Sequence, residues 1–173
     1  MRTIAAIAIL AEMIIRNEQQ ADAFPVATVV AEAFGRSDEA RLVRQLRTDG
    51  DAVISLVAVA GSTVVGHVML SRLAAPLRAL GLAPVSVMPE HQRKGIGASL
   101  VKAGLKQAGE QGWEVVFVLG DPAYYKRFGF RVQLAQGFTS PYAGRHFMAL
   151  SLGPNLSARG GRVDYPSAFA ILG

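Results

Sequence analysis

Gln92 to Ala98 reads QRKGIGA: an amide, two cations and two glycines within seven residues, set between apolar stretches. Where such a loop opens a helix, the first N–H groups of that helix have no acceptor of their own. The aligned peptide dipoles add positive potential at the same end. Gly95 and Gly97 lack a Cβ, so an oxyanion can approach the main chain closely. Arg93 and Lys94 add mobile positive charge at the rim. The chemistry this pattern suits is capture of a phosphate or diphosphate. A second group of reactive side chains lies in GDPAYYKRFGF, where Tyr124 and Tyr125 each carry a phenol able to give a proton. The three histidines, His67, His91 and His146, share no metal-ligand spacing, and the chain has no cysteine to supply a thiolate. No metal centre is expected.

The glycine spacing departs from two better-known phosphate loops. A dinucleotide fingerprint needs a third glycine where Leu100 stands, and the nucleotide-hydrolase loop needs Gly-Lys-Ser/Thr where this chain has GIGAS. A solvated turn would account for the glycines taken alone.

The flanking text supplies the elements that must hold these groups. MIIR from Met13 reads as a short strand. ADAFPVATVVAEAFG follows as a helix with Asp22 as N-cap, Pro25 in the first turn and Gly35 at the end. SDEARLVRQLRTDG is a second helix, with Ser37 as cap, an inner face of Leu42, Val43 and Leu46, and Gly50 as terminator. AVISLVAVA and VVGHVMLSRL, joined by GST, read as a β-hairpin with Gly61 in the turn. A third apolar strand, Leu80 to Met88, runs into the glycine loop, and its Pro84 predicts a bulge. A helix with Ile96, Leu100, Val101, Leu105 and Ala108 on one face then leads past Gly112 to the buried strand WEVVFVL, a parallel crossover. Asp121 caps a helix of barely two turns ending at Gly129. FRVQL and HFMALSL read as an antiparallel pair of strands, and the tail from Ser157 carries no clear pattern.

Composition bounds the function classes. A chain of 173 residues, 51% of them apolar, supports one domain, expected over 13–173. Arg2 and the apolar run from Ile4 imitate a signal peptide, but no cleavage site follows, so residues 1–12 read as an extension. The net charge of +5 suits a polyanionic ligand. The basic residues are dispersed without interleaved aromatics, so neither a nucleic acid nor a membrane is an expected partner. The lack of cysteine favours a reducing compartment, the cytoplasm.

VSVMPEHQRKGIGASLV resembles the acetyl-CoA motif of the GNAT N-acetyltransferase superfamily, with Gln92, Gly95 and Gly97 at the matching positions. YYKRFGF resembles the family's second signature through Tyr125, Gly129 and Phe130. The text around LGLAPV and GDPAYY is most similar to the YhbS-like branch. The resemblance implies an α/β (α+β) fold: a mixed, mostly antiparallel sheet of about seven strands with a central splayed parallel pair, flanked by about four helices. It implies acetyl-CoA as co-substrate, with the pantetheine arm in the splay beside Val85, Ser86 and Val87. The diphosphate would lie on Gln92, Arg93, Lys94, Gly95, Ile96, Gly97 and Ala98. Main-chain N–H groups around Val87 and Met88 would receive the oxyanion. Tyr125 would border the thioester and serve as the acid for the departing thiolate, with Tyr124 facing elsewhere.

The implied reaction is acetyl transfer to a primary amine of a small molecule or peptide. No spacing singles out a base among Glu32, Asp38, Glu39, Glu90 and His91, and His67 reads as a satisfied interior histidine. A non-catalytic acyl-CoA-binding module is therefore the second reading. Strand edges near the C-terminus admit a homodimer. Acceptor choice falls to Phe34–Ser37, Leu73–Ala79 and the region after Val132.

Overall fold

The computed structural model describes residues 12–173. The expected extension lies outside these residues apart from Glu12. β1 (Met13–Asn17) leads to α1 (Ala23–Phe34) and α2 (Asp38–Thr48). Val26, Val29 and Val30 of α1 and Leu42, Val43 and Leu46 of α2 are buried, the spacing of one helical face. Gly35 closes α1 in the left-handed region at φ +67°. Neither expected side-chain cap forms. The Asp22 carboxylate turns instead to Arg16, 2.6 Å away, and to the Gln19 N–H. Ser37 makes no capping bond, while nearby Glu39 is gripped by Arg36.

β2 (Ala52–Ala60) and β3 (Thr63–Arg72) form the expected hairpin. β4 (Ala79–Val87), α3 (Ile96–Glu110) and β5 (Val115–Leu119) make the parallel crossover. Two short helices follow: α4 (Pro122–Tyr125), carried on by a 3-10 turn over Lys126–Phe128 to Gly129 as expected, and α5 (Val132–Ala135); Asp121 caps α4 through the Ala123 N–H at 2.9 Å. The remaining strands are β6 (Phe138–Thr139), β7 (Phe147–Ser151) and β8 (Gly161–Arg162).

The main sheet runs β1-β2-β3-β4-β5-β7, antiparallel except for β4 with β5, and β6 pairs with β8 in a small parallel sheet. FRVQL is not a strand. Val132–Ala135 turns as α5, and only Arg131 bridges to Ala149, while β7 pairs with β5. Helix α3 covers one face of the sheet, packing Ile96, Leu100 and Val101 on Val68 and Leu70. α1 and α2 cover the other with Val57 and Met69, joined by Phe169 of the tail.

The functional consequence lies in β4. Opposite β3, Val68 faces Val85 and Leu70 faces Leu82, so three steps of β4 match two of β3. That is the bulge predicted from Pro84, a residue with no N–H to offer a ladder. On its other side β4 pairs with β5 only at Ala79–Gly81, against Val115–Phe117. Beyond Gly81 the strands separate, and the β4 edge facing β5 is unpaired.

Candidate active site

The glycine loop is placed by how closely α3 lies on β3. A Cβ on Gly66 would stand 2.9 Å from Leu100 Cδ1, and one on Gly104 would stand 2.9 Å from Leu70 Cδ1. Side chains at either position would lift the helix and its first turn. The turn itself needs left-handed backbone at Gly95, φ +84°, and at Arg93, φ +63°. Glycine adopts it without strain, and arginine does so at a cost. Ser99 N–H makes the first helical bond, to Gly95 O. Among the described residues no protein acceptor meets the N–H groups of Arg93, Lys94, Gly95, Ile96, Gly97 or Ala98.

The β4 edge adds further free groups. Met88 N–H bonds Val65 O at 2.9 Å, so Met88 and Val65 form a hydrogen-bonded pair across the ladder. Alternation then turns the Val85 and Val87 main-chain groups away from β3 and into the splay. Val87 O confirms the direction, because it accepts from Gln92 Nε2 at 2.9 Å. Met88 is thereby corrected as an oxyanion donor, its N–H being occupied. The N–H groups of Val85 and Val87 are directed into the splay. Ser86 is the exception in this strand, since its own main chain faces β3 and its side chain lies on the α1/α2 face.

Both tyrosines border the same cleft, which corrects the expectation that Tyr124 faces elsewhere. The two rings meet edge to face at 5.0 Å between centroids, and Arg127 stacks over Tyr124 at 4.4 Å. The Tyr124 hydroxyl stands 3.7 Å from the place a Gly97 Cβ would occupy. Tyr125 packs against Phe130 at 5.8 Å, yet its hydroxyl makes no hydrogen bond among the described residues. Burial, with a smaller contribution from Tyr124, pushes the Tyr125 phenol up to about 12. The cleft holds about 600 Å³ and is lined by Val85, Val87, the glycine loop, both tyrosines and Arg127. Lys94 is exposed outside that lining. A narrow chain with a diphosphate fits this arrangement: free amides and bare Cα atoms at one end, an unpaired strand edge along it, a proton donor beside it.

Residues 15–133 match the family model described as an acetyltransferase (GNAT) domain. The chain belongs to the GNAT acetyltransferase family. It is 36% identical over 132 residues to the uncharacterized N-acetyltransferase YjhQ of Escherichia coli K12, a match covering 71% of this chain and 72% of that one. YhbS of the same organism is 36% identical over 124 residues, covering 69% and 74%. Among solved structures, Escherichia coli YhbS in complex with CoA has a TM-score of 0.85 at 30% identity, covering 94% of each chain. A GNAT acetyltransferase from Brucella melitensis in complex with acetyl-CoA has a TM-score of 0.77 at 33% identity, covering 91% of this chain and 97% of that one.

The carboxylates weighed as bases are dispersed in this acetyltransferase. Glu39 is held by Arg36 and Asp38 by Arg41, and Glu32 and Glu90 are exposed. His91 is half-buried and lines the cleft. Sequence reasoning missed a different set. Glu18, just after β1, accepts from Arg47 and Ser55, and Ser55 Oγ lies 2.8 Å from His67 Nε2. His67 is interior, as expected, but among the described residues only one of its nitrogens is bonded. Burial opposes ionisation of Glu18, and hydrogen bonds with His67 and Ser55 plus the Arg47 charge outweigh it, holding the carboxyl below its ordinary range. The tail was missed as well: the Tyr165 ring lies over Gly81, where a Cβ would stand 2.9 Å from Cε1. Gly81 is the last β4 residue paired with β5, so Tyr165 marks the head of the splay.

Among the described residues no helix is long and apolar enough to cross a membrane, and no cluster of side chains could hold a metal ion.

Proposed function

We propose that this acetyltransferase moves the acetyl group of acetyl-CoA to a primary amine of a small molecule or peptide, by direct attack within a single domain over 13–173. The observation that carries the reading is the run of acceptor-free N–H groups from Arg93 to Ala98, continuous with the unpaired β4 edge and ending beside Tyr125. The amides of the loop bind the diphosphate, and Arg93 and Arg127 add charge at the rim. The Val87 main chain, next to the loop, holds a pantetheine amide by extending the strand pairing, and the Val85 N–H, deeper in the splay, stabilises the charge that develops on the thioester oxygen.

Tyr125 acts on the sulfur. Its phenol, raised to about 12, sits well above a thiol of about 8.5, so full transfer to a free thiolate is uphill. The hydroxyl therefore serves by donating a hydrogen bond as charge builds on sulfur, and passes its proton only as far as that charge requires. Position matters more than acidity here. The cytoplasm is the compartment this reading takes. A homodimer would use the outer β7 edge to either side of Ala149, where Arg131 bridges it.

A thiol-release assay with acetyl-CoA over spermidine, a lysine-containing peptide and an alkylamine tests the reading. Release that depends on an added amine supports it. Tight acetyl-CoA binding with no amine-dependent release would favour the acyl-CoA-binding module instead.

A further inference from the structure

A second cavity, of about 380 Å³, lies between α5 and the start of β7, and none of its lining residues belongs to the acetyl-CoA cleft. Small-molecule sites hold roughly 300–1,000 Å³, so the space is large enough for a ligand. Its walls are apolar: Val132 and Ala135 of α5, Phe138 of β6 and Phe147 of β7. Phe117 holds the two rings from behind, stacked on Phe147 at 5.2 Å and edge to face with Phe138 at 5.1 Å. Since Phe117 is wholly buried, that aromatic floor is preformed. Only two lining side chains are polar, Gln136 and Arg145.

The guanidinium of Arg145 is oriented by the strand ends beside it. Its Nε–H donates to His146 Nε2 at 3.1 Å, so that nitrogen offers a lone pair and the imidazole proton sits on Nδ1. Nδ1–H donates in turn to Gly120 O at 3.2 Å, and Gly120 N–H returns a bond to His146 O at 2.9 Å. Gly120, at the end of β5, thereby fixes His146, and His146 fixes the arginine. The terminal Nη groups are left over. Among the described residues Arg145 makes no salt bridge. Gln136 adds an exposed amide to the same cavity.

One guanidinium, with no second cation in the lining, matches one unit of negative charge. Its planar fork takes a carboxylate through two parallel N–H···O bonds, whereas a phosphate dianion would be left half neutralised. We propose that this cavity is a separate ligand site for a small monocarboxylate with an apolar body: the carboxylate lies on the Arg145 Nη groups and the body lies against Phe138 and Phe147. An exposed ion pair alone binds weakly, so burial of the body supplies most of the affinity and the charge supplies the selectivity. The site shares no residue with the cleft, and it does not depend on the amine reading above.

Calorimetric titration of the full chain with phenylbutyrate, its neutral amide phenylbutyramide and inorganic phosphate tests the site. Phenylbutyrate should bind at least about fivefold more tightly than the amide or phosphate, and within about twofold of the same affinity when coenzyme A is saturating. Arg145→Gln should abolish the preference for the acid while the amide binds as before. Ala143→Phe, which fills the exposed side of the cavity, should abolish binding of both. Both variants should keep the wild-type melting temperature and coenzyme A affinity. No binding of phenylbutyrate, equal binding of acid and amide, or a preference that survives in Arg145→Gln overturns the proposal. Phosphate bound as tightly as phenylbutyrate overturns it as well, and so does displacement of phenylbutyrate by coenzyme A, which would place the acid in the cleft.

Discussion

The Tyr125 ring lies against the bare Cα of Gly120: a Cβ there would stand 2.5 Å from Cε2 and 3.0 Å from Cδ2. Glycine at this position sets where the phenol sits, at the junction of β5 and α4. Gly120→Ala should displace the ring and lower kcat about tenfold or more, at a stability cost of about 1–3 kcal/mol for the overpacking. Tyr125→Phe should lower kcat by about a hundredfold with little change in melting temperature. Steady-state kinetics beside thermal melts check both, and full turnover in Tyr125→Phe would remove the tyrosine from the chemistry.

The two loop glycines should respond differently. Gly95 is left-handed at φ +84°, and nothing lies within 4 Å of where a Cβ would stand, so Gly95→Ala strains the backbone alone and should cost about 1–2 kcal/mol of stability. Gly97 is helical, and its Cβ would meet Tyr124, Val87 and Val85 at 3.7–3.9 Å, ordinary contact. Gly97→Ala should therefore fold normally yet weaken coenzyme A binding, because the new methyl narrows the cleft. Calorimetric titration with coenzyme A, set beside melts, separates the two outcomes.

Arg127 is held over Tyr124 at the cleft rim. If it serves the phosphates, Arg127→Ala should raise KM for acetyl-CoA about threefold to tenfold with kcat nearly unchanged, and the dependence of KM on salt should flatten. An equal fall in kcat would point to a role near the reacting atoms.

What could be read from the sequence was what the backbone demands locally. Gly95 with Gly97 before an apolar helical face, Pro84 in a strand and Asp121-Pro122 at a helix start each impose geometry on their own neighbours, and all act as read. The misreadings come where tertiary partners compete. Asp22 sits at an N-cap position, but Arg16 and the Gln19 N–H take its carboxylate. Phe130, Val132 and Leu134 alternate as in a strand, yet the ladder beside β7 admits only Arg131, and the chain turns into α5. Tyr124 and Tyr125 differ by about 100° on a helix, but both stand where α4 passes into a 3-10 turn, and the cleft borders both rings. The cluster of Glu18, Ser55 and His67 had no local signal, because its members lie on or beside separate strands and only register brings them together. Tyr165 over Gly81 was hidden for the same reason.

Acid stability should report on the buried histidine. Burial holds His67 below its ordinary 6.5, so the unfolded chain takes up a proton first as the pH falls. The stability it contributes is full above about 6.5 and declines as the pH drops through the lowered folded value, by up to about 1.4 kcal/mol per pH unit. Urea midpoints between pH 7 and 5 should fall for the wild type and stay flatter for His67→Gln. Parallel curves would assign the loss to another group.

The most direct measurement is a crystal structure of the chain with coenzyme A. The diphosphate oxygens should lie within about 2.7–3.2 Å of main-chain nitrogens between Arg93 and Ala98, with a pantetheine amide at the Val87 main chain and the arm running on toward Val85. A diphosphate bound elsewhere, with those six N–H groups turned to protein or solvent, would contradict the account.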